Sequence, residues 1–186
     1  MKDDLSPDEN IHELVAQAQR GQPEAFEKVY RHFLAPLYRY VYFRVGNKTE
    51  AEDLTQTAFL KAWSNLGNYS HQPTGFSSWL YTIARNTVID HWKKRKDVVI
   101  ENDSPLFEQE AGGNPASDAM RGETKRQVTE AISRLSRDQQ EIIILKFIED
   151  RSNREISAVT GKSEEAIRQL QFRAIRALRR HIRENE

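Results

Sequence analysis

The sequence predicts an all-α chain of two small helical domains joined by a flexible acidic linker. Three observations carry this. Apolar residues recur at helical spacing over most of the 186 residues. Helix start signals of the Ser/Thr-x-x-Glu/Gln kind stand ahead of those runs. Between the two helical stretches, residues 97–119 lose the period and gather Pro105, Gly112, Gly113, Pro115 and many acids. The expected division is therefore 1–96, 97–119 and 120–186.

Ser6-Pro7-Asp8-Glu9 reads as a capping box with proline opening the first helix, along which Ile11, Leu14, Val15 and Ala18 recur until Gly21. Pro23 opens the second, whose buried face is Ala25, Phe26, Val29, Tyr30 and Phe33. Pro36 is expected to kink or restart that helix before Leu37, Tyr40, Val41 and Val45. Gly46-Asn47 is a turn. Thr49 and Glu52 form a second capping box, and a third helix runs to about Leu66. Residues 67–75 form a loop, and a long helix follows from about Phe76 to Arg95. In the linker, Val98, Val99, Ile100, Leu106 and Phe107 suggest local docking. Further helices are expected at about 120–134, 137–149, 153–160 and 164–183, with capping boxes at Ser136/Gln139 and Ser152/Glu155.

Composition excludes several functions. There is no cysteine, so disulfides and thiolate metal sites are absent, which fits a reducing cytosol. The five histidines show no ligand spacing; no metal and no cofactor is expected. No apolar run approaches the length needed to cross a membrane, so no membrane insertion is expected, and the opening MKDDLSPDEN is too acidic for a signal peptide. The chain reads as cytoplasmic. Its formal net charge of zero hides segregation: residues 1–60, 61–100, 101–150 and 151–186 carry balances of −3, +4, −5 and +4. Two basic blocks separated by acidic ones suit a chain that grips a polyanion in two places, although uneven charge also arises by chance in helical proteins.

On a helix over 164–183, Ile167, Leu170, Ala174, Ala177, Leu178 and His181 share one side. The other side holds Arg168, Gln169, Phe172, Arg173, Arg176, Arg179, Arg180 and Arg183, with arginine as its sole cation. Arginine offers a planar fork suited to phosphates and guanine edges, and Phe172 could meet a thymine methyl. Before it lie a short helix from Ser152, a turn through Gly161 and an N-cap at Ser163, the layout of a helix-turn-helix. The alternative is a helical hairpin with a solvated basic face.

In the first domain, Ala51, Leu54, Ala58, Ala62 and Leu66 make a core stripe. Phe59, Leu60 and Trp63 fall off it beside Glu52, Asp53 and Gln56. That flank either serves a protein partner or has Phe59 and Trp63 buried by the first two helices. On the next helix Phe76, Leu80, Ile83, Ala84 and Thr87 face inward. Trp79, Asn86 and Lys93 follow one another at seven-residue spacing, and Lys93-Lys94-Arg95-Lys96 closes the helix. Rings, amides and cations so arranged suit single-stranded DNA; a core tryptophan with a cationic helix end is the other reading.

Taken together, the chain resembles the extracytoplasmic-function (ECF) RNA polymerase sigma factors of the sigma-70 family, over residues 10–96 and 120–183. Glu52 through Trp63 is similar to the family's polymerase-clamp motif, Phe76 through Asn86 to its promoter-melting motif, and Leu135 through Ile182 to its C-terminal helix-turn-helix domain. The resemblance implies a sigma region 2 domain and a sigma region 4 domain. It also implies core RNA polymerase, through its beta-prime and beta subunits, and promoter DNA as partners, with an anti-sigma factor as regulator. Asp53, Gln56, Phe59, Leu60 and Trp63 would dock on the beta-prime coiled coil. Trp79, Arg85 and Asn86 would lie at the minus-10 element, with Lys93, Lys94 and Arg95 on its backbone. Arg154, Ser163, Arg168, Gln169, Phe172, Arg173 and Arg176 would read the minus-35 element. The acidic linker would thread near the polymerase's active-site and RNA-exit channels. Thr57 stands where the family often has an acid, and the turn Thr160-Gly161-Lys162 is an uncommon variant. No appended regulatory domain is expected beyond Glu186.

Three rival readings remain. An ordinary helix-turn-helix regulator would bind duplex DNA as a dimer and needs no melting helix. An enzyme would need a phosphate loop, metal set or nucleophile–base pair, and the sequence offers no catalytic residue of these kinds. A protein-binding helical adaptor is disfavoured by the arginine face of the last helix.

Overall fold

The computed structural model describes residues 7–98 and 127–183, with side chains over 11–95 and 127–180, and every regular element among them is helical. The first domain packs α1 (Pro7–Gln19), α2 (Pro23–Val45), α3 (Lys48–Asn65) and α4 (Gly75–Val98), with a 3₁₀ turn at Leu66–Asn68. The second contains α5 (127–133), α6 (Arg137–Ile143), α7 (Asn153–Thr160) and α8 (Glu164–Arg183). The start signal at Ser6, the expected helix over 120–126 and the linker from Val99 onward lie outside the described residues.

Small side chains set how closely the first domain packs. Ala51, Ala58 and Ala62 are fully buried along α3, which lets its backbone approach Val29, Phe33, Leu37 and Tyr40 of α2. Leu80, Ala84 and Val88 of α4 close the core from the other side. Gln19 at the end of α1 donates to the carbonyls of Leu66 (2.9 Å) and Tyr69 (2.8 Å), fixing the segment before α4.

Three expectations are corrected. Pro36 does not restart α2, which runs through it as one 23-residue helix. Proline cannot return an N–H to the His32 carbonyl, but Phe33, Leu37, Tyr40 and Val41 on either side share one core, and their burial outweighs that loss. The start of α3 is set by Asn47 and not by Thr49. Gly46 ends α2 at φ +74°, and Asn47, in extended backbone, accepts the Glu50 N–H at 2.9 Å. Thr49 then lies inside the helix. Third, the helix expected over 137–149 is α only to Ile143; Ile144–Ile148 form one π turn. Its closing bonds run from the Glu149 N–H to the Ile144 carbonyl (3.0 Å) and from the Arg151 N–H to the Leu145 carbonyl (2.9 Å). The widened turn keeps Ile144 and Leu145 in the core and ends at Asp150, a non-glycine residue at φ +50°.

The capping boxes at Ser136/Gln139 and Ser152/Glu155 are formed in full. Gly161 (φ +71°) ends α7, and the Ser163 side chain accepts the Ala166 N–H at 3.2 Å to cap α8. Ile156, Val159, Ile167 and Ala174 are the buried seam between these two helices. The second domain rests on the first: α7 lies along α4, and the π turn touches α2.

Candidate functional site

Three surfaces collect the residues singled out from the sequence. On α8 the separation of faces holds among the described side chains: Ile167 and Ala174 are fully buried, while Arg168, Gln169, Arg173 and Arg176 are exposed. Phe172, in the middle of them, is 68% exposed. Arg154 at the start of α7 and Ser163 at the turn are exposed on neighbouring ground. Within this surface Arg168 pairs with Glu165 at 3.1 Å, Gln169 donates to the same carboxylate at 3.3 Å, and Arg173 donates to Gln169 at 3.4 Å. The bond from Arg168 holds the Glu165 carboxyl below its ordinary range. Gln171, partly buried, donates to Asn153 Oδ1 at 2.9 Å and so fixes α8 against α7. The side chains of His181 and Arg183 lie outside the described ones.

The α3 flank divides. Phe59 is 4% exposed, with its ring 4.6 Å from Tyr30 in edge contact. It belongs to the core, as the alternative reading of the sequence had it, and supports the flank from beneath. Leu60 is 66% exposed and Trp63 43%, the latter tilted over Phe26 with centroids 4.7 Å apart. Asp53 and Gln56 are exposed beside them, as is Thr57. Two apolar side chains in water, next to an acid and an amide, form a surface that a protein partner would cover.

Along α4, Asn86, Lys93, Lys94 and Arg95 are exposed. Trp79 is half-buried, packed on Tyr69 (5.1 Å) and Phe76 (5.3 Å). Arg95 reaches Glu50 of α3 at 3.0 Å. Arg85 points away from Asn86, toward the second domain, and donates to Glu141 at 3.0 Å.

That contact belongs to a polar seam that pattern reading missed. Glu141 takes Arg85, the Tyr40 hydroxyl (3.2 Å) and Arg44 (3.6 Å) on one oxygen. Glu149 takes both arms of Arg39 (2.7 and 3.1 Å) and the Tyr81 hydroxyl (2.8 Å). Burial first, and then the facing carboxylates, push both phenols far above their ordinary range, so each stays a neutral donor. The hydrogen bond to Glu149 raises Arg39. One signal was available: Glu141 shares a helix face with the fully buried Leu145, four residues on, which is unusual ground for an acid.

Two family descriptions match this chain: sigma-70 region 2 over residues 29–98 and sigma-70 region 4 over residues 125–178. The ECF sigma factor SigM of Bacillus subtilis is 30% identical over 156 residues, covering 82% of this chain and 92% of SigM. The chain belongs to the ECF sigma factors. It is therefore a transcription-initiation factor and not an enzyme. The ECF sigma factor BldN of Streptomyces coelicolor is 39% identical over 169 residues, which make up 90% of this chain but 64% of BldN. Among solved structures, the sigma factor RpoE of Bartonella quintana, in complex with the anti-sigma factor NepR, matches with a TM-score of 0.70 at 25% identity, covering 87% of this chain and 98% of that one. The first domain of this sigma factor thus carries region 2 and the second region 4. Among the described residues no helix is long and apolar enough to cross a membrane.

Proposed function

We propose that this sigma factor works in the cytoplasm, docks on the beta-prime coiled coil of core RNA polymerase through Asp53, Gln56, Leu60 and Trp63, and reads two promoter elements with separate domains. The observation that carries the reading is α8. It buries Ile167 and Ala174 and leaves Arg168, Gln169, Phe172, Arg173 and Arg176 open on one face, with the turn at Gly161 presenting that face as a major-groove reader does. These residues, with Arg154 and Ser163, would take the minus-35 element. Asn86, Trp79 and the cations Lys93, Lys94 and Arg95 would take the minus-10 element as its bases unstack, with Arg85 joining them once it is released from Glu141. The binding energy of captured bases offsets melting, and the polymerase performs the chemistry. The linker, taken as 97–119, sets the spacing, and joining two weak contacts on one polymerase raises the effective concentration of each. The RpoE relative is held by an anti-sigma factor, and the same class of regulator is proposed here.

The test is retention of bacterial core RNA polymerase by the tagged chain, followed by transcription from a pool of promoter fragments. Stable binding with selective initiation is expected. Tight binding to duplex DNA alone, with no polymerase retained, would favour a free-standing regulator instead.

A further inference from the structure

A cavity of about 480 Å³ lies where α1 and the start of α4 meet the segment that opens α7. That volume suits a small organic molecule, for which sites run to ~300–1,000 Å³. Val15, Phe33 and Phe76, all buried, supply an apolar wall. His12 and His71 of the first domain and Arg151 and Arg154 of the second line it as well. The two imidazoles are exposed and in edge contact, with ring centroids 4.4 Å apart. Among the described residues lining the cavity the one acid is Glu155, and it is already engaged. It accepts from the Ser152 hydroxyl (2.7 Å), the Ser152 N–H (2.8 Å) and Arg151 (3.2 Å).

Two buried donors at this cavity have no acceptor within the protein. The Ser77 hydroxyl bonds to nothing, although Ser78 and Thr82 on the same helix give theirs to the carbonyls of Thr74 (3.0 Å) and Ser78 (2.8 Å). The Arg151 Nε is unpaired in the same way, while the rest of its guanidinium holds Glu155 and lies over Tyr81 at 4.6 Å. A buried donor without an acceptor costs free energy that a ligand bringing the acceptor recovers. The first turns of α4 and α7 also reach the cavity, through Phe76 and Ser77 and through Arg154 and Glu155, and helix starts favour negative charge.

We propose that this cavity binds a phosphomonoester carried on a planar ring, with the ring against Val15, Phe33 and Phe76 and the phosphate among Ser77, Arg151, His12 and His71. An imidazole has an N–H to give in either protonation state, and arginine adds charge-assisted bonds. A carboxylate brings two acceptor oxygens. A phosphate monoester brings three and most of a second negative charge, which matches four donor side chains better. With the proposed minus-35 surface the site shares only Arg154, which the variants below leave intact, so it stands or falls apart from promoter reading.

The test is a titration of the isotope-labelled full-length chain with phenyl phosphate, read by amide chemical shifts. Saturable shifts are expected at His71, Ser77 and Glu155, with inorganic phosphate (the head alone) and phenol (the ring alone) each binding more weakly. Ser77→Ala should lower the affinity for phenyl phosphate about tenfold, as for one hydrogen bond to a charged acceptor. The same variant should leave the melting temperature of the free chain unchanged or higher, because it removes an unpaired buried hydroxyl. His71→Ala, at an exposed position, should weaken binding without altering the fold. Adenosine monophosphate separates the sources of the ester: binding tighter than that of phenyl phosphate assigns a nucleotide, and weaker binding assigns a smaller aryl ester. Shifts confined to the arginine face of α8 and the basic end of α4, or an affinity unchanged in both variants, would overturn the site. Benzoate binding as tightly as phenyl phosphate would overturn the assignment to phosphate.

Discussion

Leu60 and Phe59 are neighbours on α3 with opposite surroundings, and their alanine variants should separate stability from partner affinity, properties that are usually lost together. Leu60 is 66% exposed, so folding covers about a third of it; with ~1.5–3 kcal/mol for a fully buried leucine, truncation removes ~0.5–1 kcal/mol of stability. The remaining two thirds is available to a partner and amounts to ~1–2 kcal/mol, or roughly 5–30-fold in affinity. Phe59 is 4% exposed and in edge contact with Tyr30, and Phe59→Ala should cost ~3–5 kcal/mol, a large share of the ~5–15 kcal/mol that holds a domain together. Urea unfolding followed by circular dichroism reads the first quantity. Competition for fluorescent core polymerase reads the second. Leu60→Ala should unfold almost as the parent does and bind polymerase several-fold less well. A Leu60→Ala variant with polymerase affinity within about twofold of the parent would refute the interface reading, since burial of the exposed two thirds requires more. Unchanged stability in Phe59→Ala would refute the packing.

Further outcomes follow from the other surfaces. Arg173→Ala should weaken use of the cognate promoter by ~1–3 kcal/mol and relax preference at one minus-35 position, without altering the melt, because its side chain is exposed; promoter selection from a randomised minus-35 pool measures it. Asn86→Ala should leave closed-complex formation intact and reduce strand opening, as scored by permanganate reactivity of minus-10 thymines. Glu155 gives the second domain an acid-sensitive cap. Burial alone would raise its carboxyl, but the bonds it accepts from the Ser152 hydroxyl and backbone N–H and from Arg151 outweigh burial and hold it below the ordinary range. A lowered folded pKa contributes stability that is present at neutral pH and lost as pH falls below the usual carboxylate range through the folded value. The acid limb of a stability-against-pH curve should therefore be shallower in Glu155→Gln, which retains a capping-box residue.

Local chemistry in the sequence determined the helices, the two capping boxes, the left-handed stops at Gly46 and Gly161 and the division of α8 into an apolar and an arginine face. These depend on residues no more than a turn or two apart, where period and propensity act directly. The α3 flank was legible as a patch, but period alone could not separate Phe59 from Leu60 and Trp63. Which of three neighbouring apolar side chains is covered depends on where Tyr30 and Phe26 of another helix arrive. Pro36 read as a kink or a restart because proline costs a bond locally; the shared core on both sides of it, across which α2 continues, is not a local property. The seam was the least legible feature. Glu141 and Glu149 were not singled out in the sequence, and only the tertiary structure decided their surroundings, by bringing Tyr40 and Arg39 to them from 101 and 110 residues away. A sequence states that a carboxylate is present, but whether it meets water, a phosphate-binding arginine or its own chain is settled by long-range packing, where desolvation and pairing nearly cancel.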